Sequence, residues 1–260
     1  MDLYVKESGP KDAPAIVFIH GGGIGGWMWD HCIARFPDHH CLAPDLPEHG
    51  NSAGIAPFSI EDGARRIAAL IRAKAPGGKA HAVGHSLGGQ ILVKLLALEP
   101  GIIDHAVVSS ALLRPLPLPG LASIVARASL PLARGRYFQK LQAQSYHIPA
   151  EDFETYYRDS LTITSGALGR ILYENSTLRL PPGLKNVIVP TLVLGGQKEL
   201  KVVHDSVRDL AAALPDARGY LISGADHAYI FQEPEKFAGI VRAWISDKPL
   251  PDGMLVPIGR

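Results

Sequence analysis

Cysteine is nearly missing from this chain: Cys32 and Cys41 are the only two in 260 residues, and they form no Cys-x-x-Cys pair. That excludes a disulfide scaffold and paired-thiol zinc sites. Cys41 falls in an apolar, strand-like run where a small buried thiol is the expected role, and reduced thiols point to a cytoplasmic location. Excess charge is missing too. Lys and Arg total 26 against 25 Asp and Glu, a formal net charge of +1, with no basic stripe, so neither nucleic acid nor an anionic membrane is called for as a partner. No uncharged apolar run of 18 residues occurs, which leaves nothing for membrane insertion. The opening stretch, with Asp2 and Glu7 and no apolar core, does not read as a secretory signal.

What is present is a regular rhythm. Residues 2–6 read as an edge strand, and Ala15–Ile19 is an apolar run that suits a buried strand before His20-Gly21-Gly22-Gly23. A helix is expected over 27–36, a strand over 40–43, a helix over Ile60–Lys74, a strand over 79–83, a Leu-rich helix over 89–98 and a strand over Ile103–Ser109. Strands and helices alternating in this way build βαβ crossovers and a parallel sheet. The rhythm breaks at Leu112. From there to Pro182 no strand signal appears, only helical candidates at 121–130, 134–144, 150–160 and 165–174. The sheet resumes at 191–194, followed by a helix at 203–214, a last strand at 219–222, a helix at Pro234–Ile245 and a loosely packed tail over 246–260. The expected organisation is therefore a core of 1–111 and 183–260, with 112–182 a helical cap inserted between sheet strands.

Chemistry enters at Gly84-His85-Ser86-Leu87-Gly88, between a strand and a helix. A turn this tight presents Ser86 at the crossing point, and glycines two positions either side remove side chains that would collide. A lone serine is a poor nucleophile and needs a base, which in turn needs a group to orient it. His227 follows the last strand and is the candidate base. His85 is too near Ser86 along the chain to serve, and is expected under the turn. For the orienting carboxylate, Glu199 stands four residues past a strand end at Gly195; Asp205 is the runner-up at the start of the next helix, and Asp226 adjoins His227 with poor geometry for holding its ring. The N–H of Leu87 and that of Gly22, with Gly23 as alternative, are the candidate oxyanion donors. Gly23, Trp27 and His85 are candidates for the substrate pocket. The glycine triple lacks a following Gly-Lys-Ser/Thr, and the spacing of His39, His40 and His49 matches no closed metal site, so no cofactor or metal is implied.

These residues together resemble the α/β-hydrolase superfamily, over about 1–111 and 183–246. His20-Gly21-Gly22-Gly23 is similar to its oxyanion loop, Asp45 to Ser52 to its Asp-x-x-Gly-x-Gly-x-Ser loop with Glu48 in place of glycine, and Gly84 to Gly89 to its nucleophile elbow. Pro190 to Glu199 resembles the acid-bearing strand exit, with Glu199 where aspartate is usual, and Gly224-Ala225-Asp226-His227 the histidine loop, with Asp226 where a small residue is usual. The resemblance implies an α/β fold: a mostly parallel central sheet flanked by helices, with a helical cap. It also implies a serine hydrolase, with Ser86, His227 and Glu199 as catalytic residues and a small apolar carboxylic ester or lactone cleaved through an acyl-enzyme. Alternatives on the same fold are hydrolysis of a carbon–carbon bond in a ring-fission product, cyanohydrin lysis, and a non-catalytic small-molecule binding protein. The implied partner is a small apolar molecule, and a homo-oligomer is compatible.

Overall fold

The computed structural model describes residues 2–259; Met1 and Arg260, the outer limits of the expected core, lie outside them. The chain begins with β1 (Val5–Ser8) and β2 (Ala15–Ile19), a short α1 (Asp30–Ile33), β3 (His40–Pro44), α2 (Ile60–Lys74), β4 (Ala80–His85), α3 (Leu87–Leu98) and β5 (Ile103–Ser109). Four helices follow with no intervening strand: α4 (Pro119–Ala133), α5 (Arg136–Ser145), α6 (Phe153–Thr162) and α7 (Ser165–Thr177). The chain then returns to the sheet through β6 (Thr191–Gly196), α8 (Lys201–Ala213), β7 (Ala217–Ile222), α9 (Tyr229–Gln232), α10 (Pro234–Ile245) and β8 (Leu255–Pro257).

The sheet order is β1-β3-β2-β4-β5-β6-β7-β8, parallel from β3 through β7 and antiparallel at both edges. Side chains alternate across it with the two-residue period of a strand. Ala15, Val17 and Ile19 of β2 pack with α2, α3 and α8, while Ile16 and Phe18 face Trp29, Phe36 and α10 on the other side. Both faces of the central strands are thus covered, which is why they read as unbroken apolar runs. Helix α2 starts where Ser59 accepts the Asp62 N–H at 3.0 Å, and its Ile60, Ala64, Ile67, Ala68 and Ile71 are buried at helical spacing.

Two expectations need correction. The helix expected over 27–36 is a 3-10 turn, Gly26–Trp29, followed by the single turn of α1. Gly26, the first residue of that turn, packs against the Ala43 carbonyl, where a Cβ would stand 2.7 Å away. The tail is not loose throughout. The turn at Gly253 brings β8 back antiparallel to β7, with Leu221 opposite Val256, and Ile258 bonds through its N–H to the Gly219 carbonyl at 3.1 Å. Pro257 is tolerated because the strand is an edge.

Candidate active site

The elbow is built by close approach. A Cβ on Gly84 would stand 2.4 Å from the Gly88 carbonyl oxygen, and one on Gly88 would stand 2.1 Å from that of Ile19, so both positions admit only glycine. Ser86 itself is not glycine, yet holds φ 54° and ψ −116°. Such a conformation costs about 1–3 kcal/mol and persists only where the surroundings impose it. Here the Ser86 N–H is held by the Ser109 carbonyl at 2.8 Å, and its own carbonyl accepts the Gln90 N–H at 3.1 Å, tying the serine to β5 and α3 at once. Helix α3 begins at Leu87, whose N–H belongs to the first turn and has no partner within the helix.

The glycine loop after β2 lies against this elbow. A Cβ on Gly21 would sit 3.7 Å from Ser86 Cβ, and one on Gly22 would sit 3.5 Å from Leu87 Cδ2. His20 anchors the loop from below: its Nδ1 donates to the Gly21 carbonyl at 2.7 Å, and its Nε2 accepts the Leu46 N–H at 2.8 Å. Burial, offset in part by the Asp45 charge, lowers its pKa and favours the neutral ring that this pairing needs.

His227 Nδ1 stands 2.6 Å from Glu199 Oε1. The Glu199 side chain is 3 % exposed and the His227 side chain 49 %, so the acid is enclosed and the ring is open to the site. The second carboxylate oxygen of Glu199 accepts from the Ser110 hydroxyl at 2.7 Å and the Gly196 N–H at 2.6 Å. Burial alone raises a carboxyl pKa, but the bonds from His227, Gly196 and Ser110 outweigh it and hold Glu199 below the ordinary range. Carboxylate and imidazole are thus set as acceptor and donor, which leaves His227 Nε2 to act as a base.

Ser86, His227, Gly22, Gly23 and His85 line one cavity of about 520 Å³ between sheet and cap. His85 is buried under the elbow, with Nδ1 2.8 Å from Ser109 Oγ, which lies 2.5 Å from the Tyr229 hydroxyl. Burial and the neighbouring His227 keep the His85 pKa well below the usual histidine range. Trp27 does not line the cavity. Its Nε1 donates to Asp159 of α6 at 2.8 Å and its ring lies 6.1 Å from that of Phe231, which places it in the seam between cap and core. Asp205 is not paired with His227 either. One turn into α8, it faces away and is taken up by Arg114, Lys201 and Arg208 at 2.7–2.8 Å.

Sequence reasoning missed Ser109, Ser110 and Tyr229. The available signal was topological: β5 lies between the strand carrying Ser86 and the one leading to Glu199, so its exit must fall between nucleophile and acid. Among the described residues no group of three or more His, Cys, Asp or Glu is placed to hold a metal ion, and no helix is long and apolar enough to cross a membrane.

The model of the alpha/beta hydrolase family matches residues 16–240. An AB hydrolase superfamily protein of Gibberella zeae is 31% identical, covering 98% of this chain and 87% of its own. The chain belongs to the alpha/beta hydrolase family. This hydrolase is also 26% identical to a pimeloyl-[acyl-carrier protein] methyl ester esterase of Neisseria meningitidis serogroup B, over 92% of this chain and 96% of that one. In three dimensions an esterase from Exiguobacterium antarcticum superposes with a TM-score of 0.77 at 17% identity, covering 94% of this chain and 95% of that chain. At that identity the likeness speaks for the fold: a mostly parallel sheet with a helical cap inserted between β5 and β6 of this hydrolase.

Proposed function

We propose that the protein is a serine hydrolase that cleaves small apolar carboxylic esters, lactones included, through an acyl-enzyme on Ser86. The observation that carries this reading is the Glu199–His227 pair at 2.6 Å opening into the same cavity as a serine held at φ 54°. His227 Nε2 takes the proton of Ser86 as Oγ attacks the carbonyl carbon, and Glu199 stabilises the imidazolium that forms. The N–H groups of Leu87 and Gly22 receive the oxyanion. Collapse of the tetrahedral intermediate expels the alcohol, which takes its proton from His227. A water, deprotonated by the same ring, then frees the acid and restores Ser86. In a lactone the expelled alcohol stays tethered to the acyl group until that second step.

Two further observations support an apolar, uncharged substrate. The cap side of the cavity carries Leu130, Ile163, Leu168 and Ile171, and among the described residues no Lys, Arg, Asp or Glu lines it. The Neisseria relative is by name an esterase acting on a methyl ester. A purely binding role leaves the strained serine without a purpose, because a receptor does not need a nucleophile. The test is a fluorophosphonate probe read by mass spectrometry, together with turnover of short p-nitrophenyl esters. The adduct is expected on Ser86, and Ser86→Ala is expected to lose both adduct and turnover while keeping its melting temperature. Turnover that survives Ser86→Ala removes the assignment.

A further inference from the structure

His85 sits inside the elbow motif, yet acyl transfer gives it no step. It is buried, its Nδ1 lies 2.8 Å from Ser109 Oγ, and its ring centre lies 4.9 Å from that of His227. Its second ring nitrogen is directed at the main-chain carbonyl of His227. Ser109 Oγ in turn meets the Tyr229 hydroxyl at 2.5 Å, and the buried Tyr229 ring stands edge-on to His85 at 5.8 Å. The carbonyl of the same Ser109 accepts the Ser86 N–H at 2.8 Å, so this chain of contacts starts from the strand that also holds the nucleophile.

The hydrogens of this chain can be placed. A carbonyl only accepts, so the His85 nitrogen that faces it, Nε2, carries the hydrogen. Burial and the neighbouring His227 keep the ring neutral, so Nδ1 is bare and accepts from Ser109. The single hydrogen of Ser109 is thereby used, and Tyr229 is the donor across the 2.5 Å contact. The order runs from phenol to serine to imidazole to the His227 carbonyl, each donor pointing toward the base. In the opposite tautomer a bare Nε2 faces the carbonyl oxygen, two acceptors with no hydrogen between them. A neutral ring also suits the place: an imidazolium there opposes the one that His227 becomes when it takes the proton of Ser86.

We propose that His85 is a positioning residue for His227, holding its main chain by the carbonyl and packing a ring against its imidazole, and that Tyr229, acting through Ser109, selects the His85 tautomer that does so. Glu199 holds the His227 ring at Nδ1, and His85 holds the backbone from which that ring projects. With both in place the ring has little freedom to leave the cavity it shares with Ser86. This rests on the ester-hydrolase reading above.

The test separates hydrogen bonding from packing. His85→Gln offers an amide that can donate to the carbonyl and accept from Ser109, whereas His85→Leu fills similar space with no polar atom. On a short p-nitrophenyl ester, with kcat taken per serine labelled by a fluorophosphonate, His85→Leu is expected to lose about tenfold or more and His85→Gln less than about threefold, with KM within about twofold in both. Tyr229→Phe keeps the ring and removes the donor, and its kcat is expected to fall by about threefold to tenfold. NMR of the resting protein with nitrogen-15-labelled histidine reads the same arrangement without turnover. His85 is expected as the neutral Nε2–H tautomer in the wild type, with the Nδ1–H form appearing in Tyr229→Phe. The His227 Nδ1 proton is expected to broaden in His85→Leu and to stay sharp in His85→Gln. A wild-type His85 protonated on Nδ1, or on both nitrogens, overturns the proposal, and so does equal kcat in the leucine and glutamine variants. If His85→Leu does not fold, the wild-type tautomer and its change in Tyr229→Phe decide. The expected NMR result in a protein that turns over no ester overturns the ester reading alone.

Discussion

Glu199 reaches His227 across 2.6 Å with its other oxygen pinned by the Ser110 hydroxyl and the Gly196 N–H, so in the proposed mechanism a glutamate takes the place at which aspartate is usual. The extra methylene adds a rotatable bond, and the two additional donors remove that freedom. Glu199→Gln keeps the shape but cannot stabilise an imidazolium and permits the wrong tautomer, so kcat is expected to fall by about 10³–10⁴. Asp205→Asn is expected to leave kcat within about twofold, because its partners are Arg114, Lys201 and Arg208. Steady-state kinetics on the two variants checks both outcomes; a reversed order would mean that the wrong carboxylate has been assigned.

Ser110 is a positioning residue with two features that can be separated. It holds φ 50° as a non-glycine, and its hydroxyl fixes Glu199 at 2.7 Å. A hydrogen bond to a charged acceptor is worth about 1.5–3 kcal/mol, so Ser110→Ala is expected to lower kcat by about tenfold or more. With one fewer donor, the Glu199 carboxylate is less strongly held below its ordinary range, and the acid limb of the pH–rate profile is expected to move to higher pH. Ser110→Gly loses the same hydroxyl but relieves the backbone, so it should match the alanine variant in activity and exceed it in melting temperature. Equal pH profiles for wild type and both variants would show that the hydroxyl only packs.

The sheet, the elbow and the His227 loop were legible because each depends on local chemistry: apolar runs of strand length, glycines where backbones touch, and residues set at strand exits. Glu199 was legible by its offset from Gly195, and Asp205 was separated from it only by the direction in which the first turn of α8 points its side chains. Ser110 was not legible. It owes its place beside Glu199 to β5 lying between β4 and β6, a non-local fact. Trp27 was misplaced for a related reason: its partner, Asp159, lies 132 residues away in the cap.

Cap and core are clamped through Glu48, which holds φ 61° where glycine is usual and accepts the Phe58 N–H and the Arg170 Nε, each at 3.1 Å. Arg170 lies on α7 next to Ile171, which lines the cavity. The same helix sends Glu174 to the Ile60 N–H at 2.9 Å, opposite the start of α2. Glu48→Gly is therefore expected to relax the backbone yet release α7, raising KM for apolar esters by about threefold to tenfold with a smaller change in kcat. Arg170→Met, which keeps much of the stem and removes the charge, should raise KM similarly and destabilise more, because it strands a buried carboxylate. KM values unchanged in both variants would mean that the clamp does not shape the pocket.

Acid should unfold this protein from an unusually high pH, because several histidines are buried in the neutral form. Burial, reinforced by the neighbouring His20 ring at 5.2 Å, pushes His49 down to about 3, and its Nε2 has no partner that could share a charge. His20 and His85 are lowered in the same direction, chiefly by burial. In the unfolded chain such rings take up a proton near pH 6.5, whereas in the folded protein they do not. Between those two values the unfolded state binds more protons, so stability rises with pH and is lost as pH falls below about 6.5, by about 1.4 kcal/mol per pH unit for each ring. For His49 that loss continues down to about 3, where the folded ring also titrates and the slope vanishes. Urea unfolding measured at intervals from pH 8 to pH 5 should show this slope before the carboxylates titrate. His49→Phe, which keeps an aromatic ring beside Phe58, is expected to reduce the slope by the equivalent of one proton; an unaltered slope would show that His49 does not stay neutral in the fold.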